Sequence, residues 1–457
     1  MKKIKFFAMA LAAVAMFSCA KENNPILDEE LKGEPVDVQF NISFPSNATS
    51  KAITPGTSTG TAAEQAVATV GGGNQDIVVY VISNGRVEAV VNAASTTGNK
   101  TAVAKITTGK KQILAIVNGG AAKVLTFAVD AKLTDIQAAA LTATTNAYSA
   151  TTATPAVLTN LLFTSKLMSV DVTKGSTSTT AQQIAISVER ALAKVIVRDN
   201  IAFKLGVPAT QPTAAQFTLN GQVSGAYLYQ HLGSDGAAVN PTGLTWAWRN
   251  TPATTTPSAL KYYGMAAKDA DIATIDGLGT TGGLYTLEGV VASKSPNNAS
   301  TQILVKVNIL PTAKFTLADN TVGADIKDTE NYIVVKHKTI AGNYLFFATD
   351  DIFKAWSTDT KNKATYDNYD ITHSVMYTKG ENYYYVKIHH DDAAPALKFS
   401  VLRNCIYNVQ LNNVNAFGGN ENSTIVTPDD PIETDAFIEA TITLLPWNVK
   451  TQESDLE

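Results

Sequence analysis

The sequence predicts an all-β protein built as two tandem antiparallel β-sandwich domains with few short helices. Three observations predict it. Many short runs alternate apolar and polar residues between turn-rich segments, the pattern of half-buried strands. No strand–helix–strand rhythm, which would build a parallel sheet, is visible. The 457 residues also exceed the usual single domain and leave length for two hydrophobic cores. Charged residues make up only 17%, and the remainder is rich in Thr, Ala, Asn, Gly and Ser, which argues against coiled coils and long solvated helices.

The N-terminus comes first in the chain and carries its own signal. Lys2, Lys3 and Lys5 precede an apolar stretch, residues 6–17, that ends at Ser18-Cys19. This is the layout of a secretion signal. The stretch is shorter than the roughly 20 residues a bilayer-spanning helix needs, so a permanent transmembrane anchor is not expected. A small residue directly before a cysteine resembles a bacterial lipobox, in which Cys19 would be lipidated, become the first residue and anchor the precursor to the outer membrane. Cys405 is the only other cysteine, so a lipidated Cys19 leaves no intrachain disulfide. Cys405 alternates with apolar residues and reads as a small core hydrophobe rather than a reactive thiol.

A polar spacer, residues 21–35, leads into residues 36–44, where Val36, Val38, Phe40, Ile42 and Phe44 share one face at period two. Pro45 ends this strand. Residues 46–73, rich in Ser, Thr, Gly and Ala without periodicity, read as an exposed loop. Further strands are expected at 77–83, 87–91, 101–106, 112–118, 167–172 and 184–197, with Asn84-Gly85 as a hairpin turn. Residues 131–141, opened by Asp130, are expected to form a helix. In the second half, strands are expected at 216–219, 226–229, 285–291, 303–309, 332–336, 383–388, 405–411 and 437–444, and a helical turn at 350–356. The domain boundary is placed near residue 200.

Three motifs, in order, are similar to those of one family. The tail Phe437-Ile438-Glu439-Ala440-Thr441-Ile442-Thr443-Leu444-Leu445-Pro446-Trp447-Asn448-Val449 resembles a strand-Leu-Pro-Trp-x-Val ending. Leu402-Arg403-Asn404-Cys405-Ile406-Tyr407 resembles an Arg-Asn-x-x-Tyr strand. Val188-Glu189-Arg190-Ala191-Leu192-Ala193-Lys194-Val195 resembles an Arg-x-x-Ala-Lys/Arg strand. With the lipobox in front and the total length, these resemble the fimbrillins of Bacteroidetes, the type V pilins, and especially the major subunit of the short (Mfa-type) fimbriae.

The resemblance implies two transthyretin-like domains and polymerisation by strand exchange after proteolysis. It divides the chain into a lipoprotein signal peptide (1–19), a propeptide with the first strand (20–51), an N-terminal sandwich (52–200), a C-terminal sandwich (201–434) and a donor-strand segment (435–457). It implies cleavage between Lys51 and Ala52, the basic-then-small pair in the loop after the first strand. It also implies a stalk subunit at the cell surface that supports adhesion and biofilm formation. Its partners would be copies of itself, anchor and tip subunits, a processing protease and a host or bacterial surface receptor.

The residues suit such an exchange. Loss of the 36–44 strand would remove Val36, Val38, Phe40, Ile42 and Phe44 and leave an apolar groove with unpaired backbone groups. The tail offers Ile438, Ala440, Ile442 and Leu444 at the same period, with Trp447 and Val449 beyond Pro446. Pro446 cannot donate a ladder hydrogen bond and is expected to break the tail into two strand segments with a kink or bulge between them. Residues 416–434, rich in Gly, Asn, Pro and Asp, suit a tether. Period alone leaves open that both segments are ordinary edge strands of one monomer.

Other chemistry is not expected. The net charge is −4 and no basic stripe could follow a phosphate backbone, which argues against nucleic acid. His389-His390-Asp391-Asp392 are consecutive, so their side chains alternate in direction and read as a solvated turn rather than a metal site. Asp350-Asp351 lacks the spacing of a calcium loop. Gly71-Gly72-Gly73 precedes a strand instead of following one and opening a helix, so it reads as a linker. No catalytic residues, cofactor or metal are assigned, and no enzyme is expected. A second class of function stays open, a monomeric surface lipoprotein that binds a glycan or host protein through exposed Trp246, Trp248 and Trp356. A fimbrial anchor or tip accessory subunit is a third possibility.

Overall fold

A computed structural model of the chain describes residues 33–44, 76–95, 100–119, 125–142, 161–174, 181–232, 238–240, 246–247, 262–271, 274–275, 282–291, 300–390, 397–420 and 438–446. Strands dominate, the sheets stack in sandwich-like fashion, and helices are few and short.

The first sheet runs Arg86–Asn92, Ile77–Ser83, Gly109–Val117, Phe163–Ser165, Gln182–Arg190, Pro35–Ser43, Lys100–Thr107 and Ala94–Ser95 in spatial order. Arg86–Asn92 and Lys100–Thr107, far apart in that order, touch each other, so the sheet folds back over a single core. Buried Lys111 pins this closure by donating to Glu88 at 2.6 Å, to Thr107 Oγ1 at 2.6 Å and to Ser83 Oγ at 3.0 Å. Desolvation alone would raise the Glu88 carboxyl, but hydrogen bonds from Lys111 and Thr107 outweigh it and hold the group low. The expected Asn84-Gly85 turn joins Ile77–Ser83 to Arg86–Asn92. Both turn residues have positive φ, 51° and 74°, as a hairpin twisted to match its strands requires.

The helix expected over 131–141 is shorter, Leu133–Ala138. Asp130 does not cap it, because its backbone is left-handed, at φ 71°, and its carboxylate pairs with Arg86 at 3.2 Å. Residues Ala140–Thr142 instead pair with Gly225–Tyr227, so a sheet contact takes the end of the predicted helix.

The run expected as one strand over 184–197 is two strands in two sheets, Gln182–Arg190 and Leu192–Phe203, which meet at Ala191. Ala191 is fully buried and donates its N–H to Leu162 O at 2.9 Å, outside both ladders. The alternation read from the sequence ends there, since Leu192 to Arg198 are all buried.

Leu192–Phe203 lies between Gly283–Leu287, antiparallel, and Cys405–Val414, parallel. Burial on both faces is what a parallel pair demands. Leu192, Ile196 and Ile406 join the first core, whereas Ala193, Val195, Val197, Tyr407, Val409 and Leu411 join the second. The second core closes against the sheet Tyr263–Gly264, Gln216–Asn220, Gln302–Asn308 and Glu381–Lys387.

A smaller sheet of Tyr344–Phe347, Tyr332–Lys336 and Val375–Tyr377 carries the helix Asp350–Thr358. That helix exceeds the expected turn. Thr349 Oγ1 accepts from Ile352 N at its start, and Asp350 and Asp351 occupy the first turn, where helix dipoles favour acids. Asp350 also pairs with Lys354.

Trp356 corrects the reading of an exposed aromatic platform, since it is 0% exposed and its indole Nε1 donates to Asn320 Oδ1 at 3.1 Å. Trp248 lies outside the described residues, and for Trp246 the backbone alone is described, in a two-residue strand. His389 and His390 are half-buried rather than in a solvated turn. His389 packs edge-on to Phe399 at 5.1 Å, and His390 Nδ1 lies 2.9 Å from the Tyr407 hydroxyl. Asp391, Asp392 and Gly71-Gly72-Gly73 lie outside the described residues.

Candidate functional site

The strand Pro35–Ser43 holds the residues read as the displaced set. It is not an edge strand. It runs antiparallel to Lys100–Thr107, from Pro35↔Thr107 to Ile42↔Lys100, and parallel to Gln182–Arg190, from Val38↔Gln182 to Ser43↔Ser187. Pro35 stands at its first residue, where a missing N–H is tolerated. Gly33 precedes it against Thr108, where a Cβ would meet the Thr108 carbonyl oxygen at 2.3 Å, and Thr108 N donates to Glu34 O at 2.9 Å.

Alternation places Val36, Val38, Phe40 and Ile42 in the first core, at 6%, 0%, 0% and 5% exposure. Phe44 is half-buried and meets Phe163 edge to face at 5.5 Å. The opposite face is polar. Asn41 Nδ2 donates to Gln183 Oε1 at 2.8 Å, Gln39 Nε2 to Asn41 Oδ1 at 3.0 Å, and Ser43 Oγ lies 3.2 Å from Ser187 Oγ.

Among the described residues, the tail strand Ile438–Pro446 forms an edge. It pairs antiparallel with Cys405–Val414 of its own chain, from Cys405↔Pro446 to Val414↔Ile438. Ala440 and Ile442 are half-buried against the second core, and Thr441 between them faces solvent, accepting from Asn412 Nδ2 at 2.9 Å. The pairing register of Ile438 and Leu444 follows the same strand. The register shifts between Leu411 and Asn413, and Pro446, the last described residue of the tail, pairs with Cys405; the second tail segment expected beyond Pro446 lies outside the described residues. Trp447 and Val449 lie outside the described residues, as do Cys19, Lys51 and Ala52.

Leading strand and tail are thus not brought together in the full-length chain. Each is seated in its own sheet. They are linked through the two strands that meet at Ala191, one flanking the leading strand and the other neighbouring the partner of the tail.

A polar cluster that motif reading did not assign sits at that junction. Arg403 is 3% exposed and donates Nε to Glu288 Oε2 at 2.9 Å, Nη1 to Leu228 O at 3.1 Å and Nη2 to Tyr227 O at 2.6 Å. Asn404, at φ 57°, donates its N–H to Leu192 O at 2.9 Å and accepts from Arg190 N at 3.3 Å. Burial raises the Glu189 carboxyl above its ordinary range, against the pull of Arg403 and Lys166. Burial lowers His231, assisted by Arg403. Burial, with the nearby Glu288 and Glu189 carboxylates, pushes the Cys405 thiol up to about 12, which suits an inert packing residue better than a nucleophile. The only hint in the sequence was the pair of motifs, each placing an arginine beside a strand start.

Residues 375–453 match the family model described as "Major fimbrial subunit protein type IV, Fimbrillin, C-terminal". No curated protein matches the chain. Among solved structures, the fimbrilin FimA of Porphyromonas gingivalis W83 overlaps with a TM-score of 0.49 at 17% identity, covering 91% of this chain and 99% of that one. The tip fimbrial protein Mfa3 of Porphyromonas gingivalis, with a C-terminal truncation, overlaps with a TM-score of 0.38 at 12% identity, covering 91% of this chain and 100% of that one. The family match spans Cys405–Val414 and the whole tail strand, so the C-terminal region of the chain, residues 375–453, is similar to the C-terminal part of the fimbrillins.

Proposed function

We propose that the chain is the stalk subunit of a cell-surface fimbria, exported as a lipoprotein through Cys19, cut between Lys51 and Ala52, and polymerised by giving its tail strand to a neighbouring copy. One observation carries the reading. The leading strand lies inside a sheet, so its loss would open a slot with a free backbone edge on each side. The slot would be floored by the core around Ala102, Ile106, Ile184 and Ile186. A strand added there forms two ladders at once and seats an apolar face at period two, and Ile438, Ala440, Ile442 and Leu444 supply such a face, with Trp447 and Val449 following. The slot is closed while the leading strand remains, so cleavage would set the time of assembly.

The partners on this reading are copies of the chain, the protease, anchor and tip subunits and a surface receptor. The tail's pairing with its own Cys405–Val414 suits an uncleaved precursor, and it also suits a surface lipoprotein that stays monomeric. Deletion after Thr434 separates the two. Protease-treated full-length protein should give a ladder of polymers on an unboiled gel, and the truncated protein should give none. A ladder from the truncated chain would rule out tail exchange, and a full-length chain that never forms one would favour the monomer. Polymer subunits should begin at Ala52 on N-terminal sequencing.

A further inference from the structure

We infer that the parallel pair Leu192–Phe203 and Cys405–Val414 is a shear clamp that carries tension through the subunit. The inference rests on the proposed stalk role for its loading direction.

In a strand-exchanged fibre, tension would enter where the donor strand sits, between Lys100–Thr107 and Gln182–Arg190, and the second of these leads directly along the chain toward the second sandwich. It would pass through Ala191 into the first residue of Leu192–Phe203. It would leave through the tail, which follows Cys405–Val414 in the chain, and so past Val414. One strand of the pair is therefore pulled from its N-terminal end and the other from its C-terminal end. Because the two run parallel, from Lys194↔Ile406 to Phe203↔Val414, those ends lie at opposite ends of the ladder. The load then acts along the strands, and all eight residue pairs resist together. In an antiparallel pair the same two ends would be adjacent, and the bonds would open one at a time.

The covalent route between the two strands runs through residues 204–404. Without the clamp, tension would draw out the second sandwich.

Side chains reinforce the ladder along its length. At the entry end, Asn404 ties Leu192 O and Arg190 N. Midway, Arg198 Nε donates to Asn408 Oδ1 at 2.7 Å, and further on Asn200 Nδ2 donates to Asn412 Oδ1 at 3.3 Å. Leu192 to Arg198 are buried, with the first core on one face and the second on the other, so water has poor access to compete for these bonds.

The test pulls single uncleaved molecules and needs no polymer. Handles at the exposed residues Gln183 and Asn415 load the pair in shear, and handles at exposed Lys204 and Asn415 open the same pair from its C-terminal end. The shear geometry should rupture at severalfold greater force than the opening geometry, in one event that frees the residues 192–414. Equal forces in the two geometries, or stepwise extension at low force from Gln183, would overturn the clamp. Forced rupture reads the unfolding rate, so the comparison holds even where both attachments leave equilibrium stability unchanged. Failure of the chain to polymerise would leave this result standing, and the two readings therefore fail separately.

Discussion

Phe40→Ala puts the seating of the leading strand to a quantitative test. Phe40 is 0% exposed at the middle of the strand, opposite Ala102 on one side and Ile184 on the other, so no solvent or loop can fill the space its ring leaves. Truncation of a buried Phe costs about 3–5 kcal/mol, including the cavity that remains. At about 1.4 kcal/mol per tenfold change, retention of the strand after cleavage should fall by roughly two to three and a half orders of magnitude. The assay introduces a specific protease site between residues 45 and 75, labels the N-terminal fragment, cuts, and follows the label by size exclusion. With the tail deleted after Thr434, so that no donor strand is present, the otherwise wild-type protein should keep its fragment, and F40A in the same background should release it. Asn41→Ala on the opposite face serves as control and should release little, because that side chain faces outward and bonds only Gln183 and Gln39. If cut F40A holds its fragment as tightly as wild type, burial in the slot does not govern strand departure.

Three further outcomes follow from the same physics. Arg403→Met leaves the Glu288 carboxylate buried without its partner and should lower stability by about 3–5 kcal/mol, with most of it recovered on adding Glu288→Leu. Thermal melting of both variants checks this, and an R403M protein that melts with wild type would refute the role of the pair.

Glu189 has a folded pKa raised by burial above its unfolded value, so it favours the fold fully below the unfolded value, near 4.3 for a free Glu, and loses that contribution as pH rises through the folded pKa. Glu189→Gln should therefore match wild type in acid and exceed it at neutral pH in urea midpoints, and a less stable variant at pH 7 would contradict the argument. Gly85→Ala, at φ 74°, should cost about 1–2 kcal/mol in chemical unfolding, because a Cβ is disfavoured in the left-handed region of this turn.

Local period fixed much of the candidate site before any fold was known. Alternation over residues 36–44 assigned Val36, Val38, Phe40 and Ile42 to one face, and those four are buried. It assigned Ala440 and Ile442 to one face of the tail, and these pack on the second core while Thr441 points away. A strand's side chains alternate by backbone geometry alone, so this information is local. The Asn84-Gly85 turn was legible for the same reason, since the preference for positive φ belongs to those two residues.

Period names a face, but it names neither a neighbour nor a direction. The tertiary structure alone decided that the leading strand lies between Lys100–Thr107 and Gln182–Arg190, more than a hundred residues apart from the second of these partners, and that one pairing is parallel. It also decided that the run 184–197 divides at Ala191, where burial on both faces erases the alternation that marked the first half. The Arg403–Glu288 contact joins residues 115 apart in sequence, and Trp356 is buried only when its helix packs against the neighbouring strands Tyr332–Lys336 and Tyr344–Phe347. Which strands pair is settled by the free energy of the whole assembly of sheets, in which each ladder competes with every other, and no window of the chain holds that comparison.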